Sequence, residues 1–281
     1  MAEHAAAAGA PRSATAGAPS AAYSSYLRNI RNRKVLVASC QIALVAVVLV
    51  LWEIAPRAGW VNPMLTSAPS SVWKTFLALA SDGSLWRHAQ ATFVSALVGF
   101  GGSMVIGIAA AIALWFFPLL HRIVDPFLVV ANALPKIALV PIFYIWLGDV
   151  ASIYAVAITV SVFVTILMLL TGFKAIEPDK ITLLRLYRAT PLQIMTKIML
   201  PGSVPTMIAT LKVNAGLALV GVVVGEFQAA KAGLGYLIVY GSQVFQMNLV
   251  MTSIVLLAII SGLIFAAIQL LEAFILHRRG V

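Results

Sequence analysis

The sequence has little charge. Only 10% of its 281 residues are Asp, Glu, Lys or Arg, whereas 62% are hydrophobic. Soluble domains carry roughly a quarter charged residues, so this composition excludes an ordinary soluble protein. A helix that crosses a bilayer needs about 20 mostly apolar residues, because about 30 Å of hydrocarbon is crossed at about 1.5 Å per residue. The chain is long enough for several such helices, and we predict an all-α membrane protein.

The sequence also lacks the residues of several common chemistries. Its one cysteine, Cys40, excludes a disulfide framework or a Cys-based metal site within one chain. The four histidines, at positions 4, 88, 121 and 277, have no metal-ligand spacing, so we predict no metal site. There is no Gly-Lys pair, and hence no G-x-x-x-x-G-K-[ST] phosphate loop. We therefore predict that this chain binds no cofactor and that any ATP chemistry belongs to a partner.

Six apolar stretches are long enough to cross a membrane. They lie near residues 35–55, 91–116, 123–147, 150–172, 204–227 and 248–275. Their lengths, and the interruptions between them, predict six transmembrane helices. We assign these helices to one membrane domain, residues 35–276, which a short basic tail at 277–281 follows.

The residues before the first apolar stretch form a polar tail with a basic end. Residues 1–22 are almost entirely Ala, Gly, Ser, Pro and Thr, which cannot bury enough apolar surface to offset the entropy of ordering. We predict that residues 1–34 are a disordered cytoplasmic tail. Its basic cluster consists of Arg28, Arg31, Arg33 and Lys34. A cleaved signal peptide is the alternative, but its apolar core is shorter and its basic region usually begins the chain.

The basic residues are distributed unevenly between the two sides of the membrane. With the basic cluster in the cytoplasm, six spans return the C-terminus to that side. Thirteen basic residues then lie inside: Arg12, Arg28, Arg31, Arg33, Lys34, Arg122, Lys174, Lys180, Arg185, Arg188, Lys197, Arg278 and Arg279. Four lie outside: Arg57, Lys74, Arg87 and Lys231. Since cytoplasmic loops carry an excess of Lys and Arg, this asymmetry predicts both termini in the cytoplasm and explains the net charge of +10 without nucleic acid.

The loop at residues 173–203 is the longest one predicted on the cytoplasmic side. Its first half alternates apolar and basic side chains. Thr190 then stands where a helix N-cap belongs, Pro191 fits the first helical position, and Gln193 completes a capping box with Thr190. We predict two short amphipathic helices joined by a sharp bend, the second ending at Leu200-Pro201-Gly202. This shape is suited to docking a soluble partner.

Several motifs together suggest a family. The loop contains Arg188-Ala189-Thr190, then Lys197-Ile198-Met199-Leu200-Pro201, then Val204-Pro205. Elsewhere stand Val61-Asn62-Pro63, Pro69-Ser70-Ser71-Val72-Trp73, Asp125-Pro126, Ala133-Leu134-Pro135-Lys136-Ile137-Ala138-Leu139, Trp146-Leu147-Gly148, Gly225-Glu226 and Gly233-Leu234-Gly235-Tyr236-Leu237-Ile238. The loop resembles the "EAA" loop of permease subunits of bacterial binding-protein-dependent ABC importers. The other segments are similar to the branch of that family that imports nitrate, sulfonates and taurine, and the resemblance extends over nearly the whole chain after residue 35.

The resemblance implies a type I ABC importer permease fold in the bacterial inner membrane, and a transport subunit that is not itself an enzyme. It also implies a second permease copy in a homodimer, two cytoplasmic ATPase subunits that use ATP and Mg, and an extracytoplasmic substrate-binding protein. The solute would be small and anionic or zwitterionic. The residues that would couple the chain to the ATPase are Leu184, Arg185, Arg188, Ala189, Thr190, Pro191, Leu200 and Pro201.

The loop departs from the family pattern at its centre. The glycine of that pattern falls on Arg188, and its E-A-A positions fall on Thr182, Leu183 and Leu184. We therefore predict that the bend between the two helices is made by Thr190-Pro191 instead.

The third apolar stretch holds four candidates for the translocation pathway: Asn132, Pro135, Lys136 and Pro141. Lys136 lies about fourteen residues into the stretch, and a cation at the bilayer centre costs about 2.5 to 3.5 kcal/mol even on a lenient scale. It should therefore face a cavity or a partner, where it could attract an anion. The alternative is that Lys136 lies near a boundary or an internal carboxylate and only supports the gate. Asn132 could bond either solute or a neighbouring helix.

Two further charged residues lie near span ends. Glu226, at the outer end of the fifth span, either shapes the outer gate or contacts the binding protein, or is a paired carboxylate at a helix end. Lys212 lies about seven residues from the inner boundary of that span, and we interpret it as an anchor whose ammonium reaches water.

The second span has a small residue at every fourth position. The stripe consists of Ser95, Gly99, Ser103, Gly107 and Ala111. Small residues let another helix approach closely, which matters in lipid because packing replaces the hydrophobic drive between helices. We predict that the stripe packs against a helix of the same bundle.

Two other functions remain as alternatives. A stand-alone secondary transporter would need ion-coupling carboxylates inside the bundle and commonly shows internal repeats, and the sequence shows neither. An intramembrane enzyme would need a cluster of His, Asp or Glu at the membrane edge, whereas the four histidines are scattered.

Overall fold

The computed structural model describes residues 21–278, and within that range the chain is helical and contains no strand. Its α-helices are α1 Ala21–Arg57, α2 Pro63–Thr66, α3 Pro69–Ser81, α4 Ser84–Phe116, α5 Pro118–Ala133, α6 Val140–Leu147, α7 Asp149–Lys174, α8 Pro178–Leu186, α9 Pro191–Ile194, α10 Leu200–Gly202, α11 Val204–Ala229, α12 Leu234–Gln243 and α13 Met247–Arg278. A turn of 3-10 helix, Lys136–Leu139, precedes α6, and a π-helical segment, Met195–Met199, joins α9 to α10.

Five of these helices are long and apolar enough to cross a membrane, namely α4, α7, α11, the Val35–Arg57 part of α1 and the Met247–Ile275 part of α13. A sixth span exists only if α5 and the segment Lys136–Leu147 are taken together, and these two pieces meet at an angle of 89°. The all-helical membrane fold predicted from the sequence is confirmed, but its third span is broken.

Proline explains the break in the third span. Pro135 has no backbone N–H to continue the helix, and it disfavours helical geometry at the residue before it. Leu134 accordingly has an extended backbone, with φ −62° and ψ 139°. The 3-10 turn begins directly after Pro135, so the chain changes direction beside Lys136.

The chain divides into two compact units, residues 1–55 and 56–281. The first contains most of α1, which begins at Ala21. Residues 21–34 of the predicted tail therefore belong to a helix, since the Arg, Leu and Lys residues of this stretch are good helix formers. Residues 1–20 and 279–281, on which the remaining tail predictions fall, lie outside the described residues.

The centre of the second unit is α7, which packs against α4 on one side and α11 on the other. A Cβ on Gly99 of α4 would lie 2.5 Å from the Cβ of Ala157, and a Cβ on Gly221 of α11 would lie 2.6 Å from the Cα of Ala157. Neither distance is tolerable, so the three helices can approach this closely only because both positions lack a side chain. All five stripe residues of α4 are buried, and Gly107 faces Thr165 of the same helix α7.

The two ends of the bundle are closed by different elements. At one end, Met195 and Met199 of the loop after α7 pack with Leu114 and Phe173 from the ends of α4 and α7. At the opposite end, Leu234 of α12 packs with Leu85 of α4, together with residues of α13. We call these the loop end and the α12 end.

Candidate translocation and docking sites

The bend in the loop lies at Arg188. Its φ of 56° is left-handed, the N–H of Arg188 donates to the carbonyl of Arg185 at 2.9 Å, and the N–H of Ala189 donates to the carbonyl of Leu184 at 3.0 Å. These two bonds form a Schellman motif, which satisfies the last carbonyls of a helix and normally has glycine at the left-handed position. The prediction that Thr190-Pro191 makes the bend is therefore wrong, because Arg188 adopts the conformation of the glycine that it replaces.

Thr190 begins the second helix of the loop. Its backbone N–H donates to Oε1 of Gln193 at 2.8 Å, and its Oγ1 accepts from the N–H of Gln193 at 3.3 Å. This reciprocal pair confirms the predicted capping box. After this cap, Met195 and Met199 are buried, whereas Leu192 is exposed.

The outer face of the loop is apolar. Leu186 and Tyr187 are 77% and 78% exposed, and Leu183 and Leu192 are also more than half exposed. The predicted coupling residues divide between exposed positions of the loop and positions packed on the bundle. Arg185, Arg188, Thr190, Pro191 and Pro201 are exposed, whereas Leu184, Ala189 and Leu200 pack against the core. Sequence reasoning did not select Leu183, Leu186 or Tyr187, because apolar residues in an amphipathic helix are usually assigned to its buried face.

The broken third span places a cation on an apolar surface. Lys136 donates from Nζ to the backbone carbonyl of Asn132 at 2.5 Å, and in the described part of the chain it has no acidic partner. Large apolar side chains of the segment Lys136–Leu147, including Ile137, Ile145 and Trp146, are exposed. Pro141 is exposed as well, in the first turn of α6. A surface that combines an unpaired ammonium with large apolar groups is poorly suited to lipid, because the charge needs water or a polar partner.

Glu226 lies inside the protein at the α12 end, with only 1% of its surface exposed. Its carboxylate accepts a hydrogen bond from Oγ1 of Thr92, at 2.8 Å to Oε1, and another from the N–H of Gly235, at 2.7 Å to Oε2. A Cβ on Gly235 would lie 2.8 Å from Oε2, so only glycine allows this approach. Among the described residues no Lys or Arg pairs with Glu226, so hydroxyl and backbone donors replace a salt bridge.

The same contacts satisfy the N-terminus of α12. The first N–H groups of a helix have no partner within it. Here the N–H of Gly233 donates to Nδ1 of His88 at 3.0 Å, that of Leu234 donates to Oγ1 of Thr92 at 2.7 Å, and that of Gly235 bonds Glu226. Because Nδ1 of His88 accepts, the proton of this imidazole lies on Nε2. The start of α12 is therefore attached to both α4 and α11.

The loop before α12 has a further attachment. Lys231 pairs with Asp149, at the start of α7, with Nζ 2.5 Å from Oδ2. The hydrogen bond that Lys231 donates to Asp149 raises the pKa of the Lys231 ammonium above its usual value. Lys231 is 84% exposed, so this pair is well hydrated and contributes little to stability.

Two polar contacts within the bundle were missed or misread from the sequence. Nδ2 of Asn214 donates to Oγ1 of Thr165 at 2.5 Å, and Oδ1 of Asn214 lies 2.9 Å from Oγ of Ser103, so one amide joins all three central helices. An asparagine in a long apolar run was the available signal. Lys212 forms an ion pair with Glu272 of α13, Nζ to Oε2 2.6 Å, which corrects its interpretation as an anchor that only reaches water.

Comparisons with known proteins agree with this architecture. The family model "Binding-protein-dependent transport system inner membrane component" matches residues 103–280. The putative aliphatic sulfonates transport permease protein SsuC of Bacillus subtilis is 26% identical over 239 residues, which are 84% of this chain and 86% of that protein. The formylaminopyrimidine transport permease protein ThiX of Halalkalibacterium halodurans is 30% identical over 232 residues, or 82% and 92% of the two chains.

Solved structures show the same fold. A chain of the inward-facing MetNI methionine ABC transporter superposes with a TM-score of 0.56 and 22% identity, over 67% of this chain and 92% of that chain. The matched family region contains the broken third span, the loop at 173–203 and helices α11 to α13. The chain therefore belongs to the family of inner membrane components of binding-protein-dependent transport systems, the permease subunits of ABC importers.

Proposed function

We propose that two copies of this chain form the membrane pathway of an ATP-driven importer, and that the loop at 173–203 docks each copy on a cytoplasmic ATPase subunit. ATP and Mg would be used by that subunit. A binding protein on the outer side would deliver the solute. The α12 end would then face outward, and the loop end would face the cytoplasm, with both termini.

The observation that carries the proposal is the exposed apolar surface of a folded loop. Burying a Leu or an aromatic side chain contributes about 1.5 to 3 kcal/mol. Leu186 and Tyr187 are held outward by a Schellman bend and a capping box, so their position is fixed before any partner binds. Such a rigid apolar projection is suited to a groove on a soluble protein. The excess of basic residues at this end supports a cytoplasmic location.

The broken third span is proposed to line the solute pathway. A second copy that covers the exposed face around Lys136 would remove its apolar groups from lipid and leave the ammonium beside a polar path. Pro135 frees backbone groups at the same place, as broken helices of transporters commonly do. An ammonium without a carboxylate partner favours an anionic or zwitterionic solute. The similarity to an aliphatic sulfonate permease supports this class.

Glu226 is proposed to hold the outer gate in position and not to contact solute. Each oxygen of its carboxylate accepts a hydrogen bond, from Thr92 or from Gly235, and only 1% of the residue is exposed. It fixes the start of α12 against α4, and α12 closes the bundle at the proposed outer end. Thr92 and His88 belong to the same assembly.

The sidedness can be tested with two matched cysteine variants in a chain whose Cys40 is replaced by Ser. Lys231→Cys and Leu186→Cys introduce thiols at positions that are 84% and 77% exposed, at opposite ends of the bundle. In intact cells a membrane-impermeant maleimide should label only the first, and both should react after the membrane is opened. Labelling at position 186 in intact cells would overturn the assignment.

A further inference from the structure

A cavity of about 490 Å³ lies where the loop meets the bundle. Its walls come from the end of α4, the start of α5, the end of α7 and both helices of the loop. The cavity is distinct from the apolar docking surface, because neither Leu186 nor Tyr187 lines it. It is also separate from the break at Pro135, since its α5 residues lie in the first turn of that helix.

The polar part of the cavity lining is cationic. Lys174, at the last turn of α7, and Arg185, on α8, both line it, and neither forms an ion pair within residues 21–278. His121 is the third titratable group. Its Nε2 is buried, has no hydrogen-bond partner and lies 3.5 Å from Oδ1 of Asp125, which is itself not part of the lining. Since no carboxylate lines the cavity, its field favours an anion.

The remaining lining is apolar and aromatic. Trp115 and Phe116 end α4, and Phe173 and Leu114 are buried beside them. Tryptophan is enriched at the depth of lipid headgroups, where its ring contacts both apolar chains and polar groups. The volume lies in the range of roughly 300 to 1,000 Å³ that is typical of ligand pockets. A small inorganic anion would leave most of this cavity empty, whereas a charged headgroup with the start of an acyl chain would use both parts.

The geometry of α8 separates this cavity from the proposed ATPase contact. Ile181 and Arg185 are four residues apart and line the cavity, so they share one face of the helix. Leu183, Leu186 and Tyr187 follow the same three- and four-residue spacing on the other face and are exposed. One face of α8 therefore remains available to a soluble partner while the other face contacts whatever occupies the cavity.

We propose that this cavity is a binding site for an anionic phospholipid of the leaflet that adjoins the loop. The phosphate contacts Lys174 and Arg185, and the upper part of an acyl chain lies against Trp115 and Phe116. Basic pockets between membrane helices on the cytoplasmic side bind acidic headgroups by this chemistry. The bound lipid joins α7 to the first helix of the loop, so it stiffens the connection between the bundle and its docking surface.

The test is native mass spectrometry of the full-length chain with phosphatidylglycerol and with phosphatidylcholine of the same acyl composition. Wild type should retain one phosphatidylglycerol in preference to phosphatidylcholine. Lys174→Gln with Arg185→Gln should weaken this binding by roughly fivefold for each cation lost. Lys197→Gln is the matched control, because Lys197 is exposed on the same loop but does not line the cavity. It should bind as wild type does.

A charge-retaining variant guards against an effect of misfolding. Lys174→Arg with Arg185→Lys keeps both cations and should keep the preference for phosphatidylglycerol. Loss of binding in this variant as well, or equal retention of both lipids by wild type, would overturn the proposal. So would displacement of the lipid by inorganic phosphate at millimolar concentration, because the site would then recognise a free anion.

Discussion

At the α12 end of the bundle, buried polar groups form hydrogen bonds with other groups of the same chain. At the loop end, by contrast, large apolar side chains are exposed and do not pack into the core of the part of the chain that the structure describes. Glu226 is 1% exposed and bonded to Thr92 and Gly235, while Leu186 and Tyr187 are more than three-quarters exposed. The first region is complete in a single chain. The second has the composition of an interface but lacks its other half, which is the physical reason for proposing a partner there.

The strongest test of this contrast is the pair Leu186→Asp and Tyr187→Asp. Each change should remove the 1.5 to 3 kcal/mol or so gained by burying an apolar side chain in the partner. Together they should weaken docking by more than about a hundredfold, and uptake and transport-coupled ATP hydrolysis should be lost in reconstituted vesicles. Membrane insertion and the melting temperature of the isolated chain should not change, since neither side chain packs on the bundle. Leu186→Met, which stays apolar, should transport normally.

Glu226→Ala, in contrast to the changes at Leu186 and Tyr187, should lower the stability of the chain itself. This change leaves the N–H of Gly235 and the hydroxyl of Thr92 without their acceptor in a buried site, at about 1 to 3 kcal/mol for each group. We expect a loss of about 2 to 4 kcal/mol in the free energy of unfolding, read from thermal unfolding in detergent. Glu272→Ala is the control, because its pair with Lys212 is about 30% exposed and should contribute less than about 1 kcal/mol. Equal losses of unfolding free energy in the two variants would show that the buried hydrogen bonds of Glu226 stabilise the chain no more than an exposed ion pair does.

The broken third span combines a charged group with exposed apolar side chains, and Lys136→Met tests what that charge does. If the ammonium attracts an anionic solute, the apparent KM for uptake should rise roughly tenfold, which corresponds to about 1.4 kcal/mol in binding. Lys136→Arg keeps the charge and should retain most of the affinity. Unchanged uptake by Lys136→Met at all solute concentrations would contradict the attraction of an anionic solute. Lys136 would then have only a structural role, through its hydrogen bond to the Asn132 carbonyl.

The smallest expected effect is that of Arg188→Gly at the bend. Glycine adopts a left-handed backbone without the steric cost that a side chain carries. The free energy of unfolding should therefore rise by up to about 1 kcal/mol, measured by denaturant titration, while Arg188→Ala should bring no such gain because it keeps a Cβ. Equal stability of the glycine and alanine variants would contradict the role of Arg188 in the bend.

Local patterns predicted the loop well and its bend poorly. The capping box of Thr190 and Gln193 follows from residues three apart, so the sequence suffices. The position of the bend depended on whether Arg188 would tolerate a left-handed backbone, and the packing of Leu184 and Ala189 on the bundle compensates for that strain. The exposed apolar residues Leu183, Leu186 and Tyr187 were not singled out for a related reason, because the amphipathic pattern does not say which apolar face meets the protein.

Long-range contacts account for most of what was missed. Glu226 could be identified as unusual from its position in an apolar run, but its partner Thr92 is well over a hundred residues away in the chain, as is His88 from the Gly233 N–H that it accepts. The Lys212–Glu272 pair and the Asn214 contacts likewise join different helices. No periodicity within one helix carries information on which residues of another helix it will meet.

The sequence by itself determined that this chain is a helical membrane protein with a folded loop between its fourth and fifth spans. The reason is that apolar run length, charge asymmetry and capping are properties of short segments in contact with lipid or water. Only the tertiary structure decided which polar groups are satisfied inside the bundle and which apolar groups are left outside. Burial depends on the approach of distant helices, which here requires the glycines of α4 and α11 to meet Ala157.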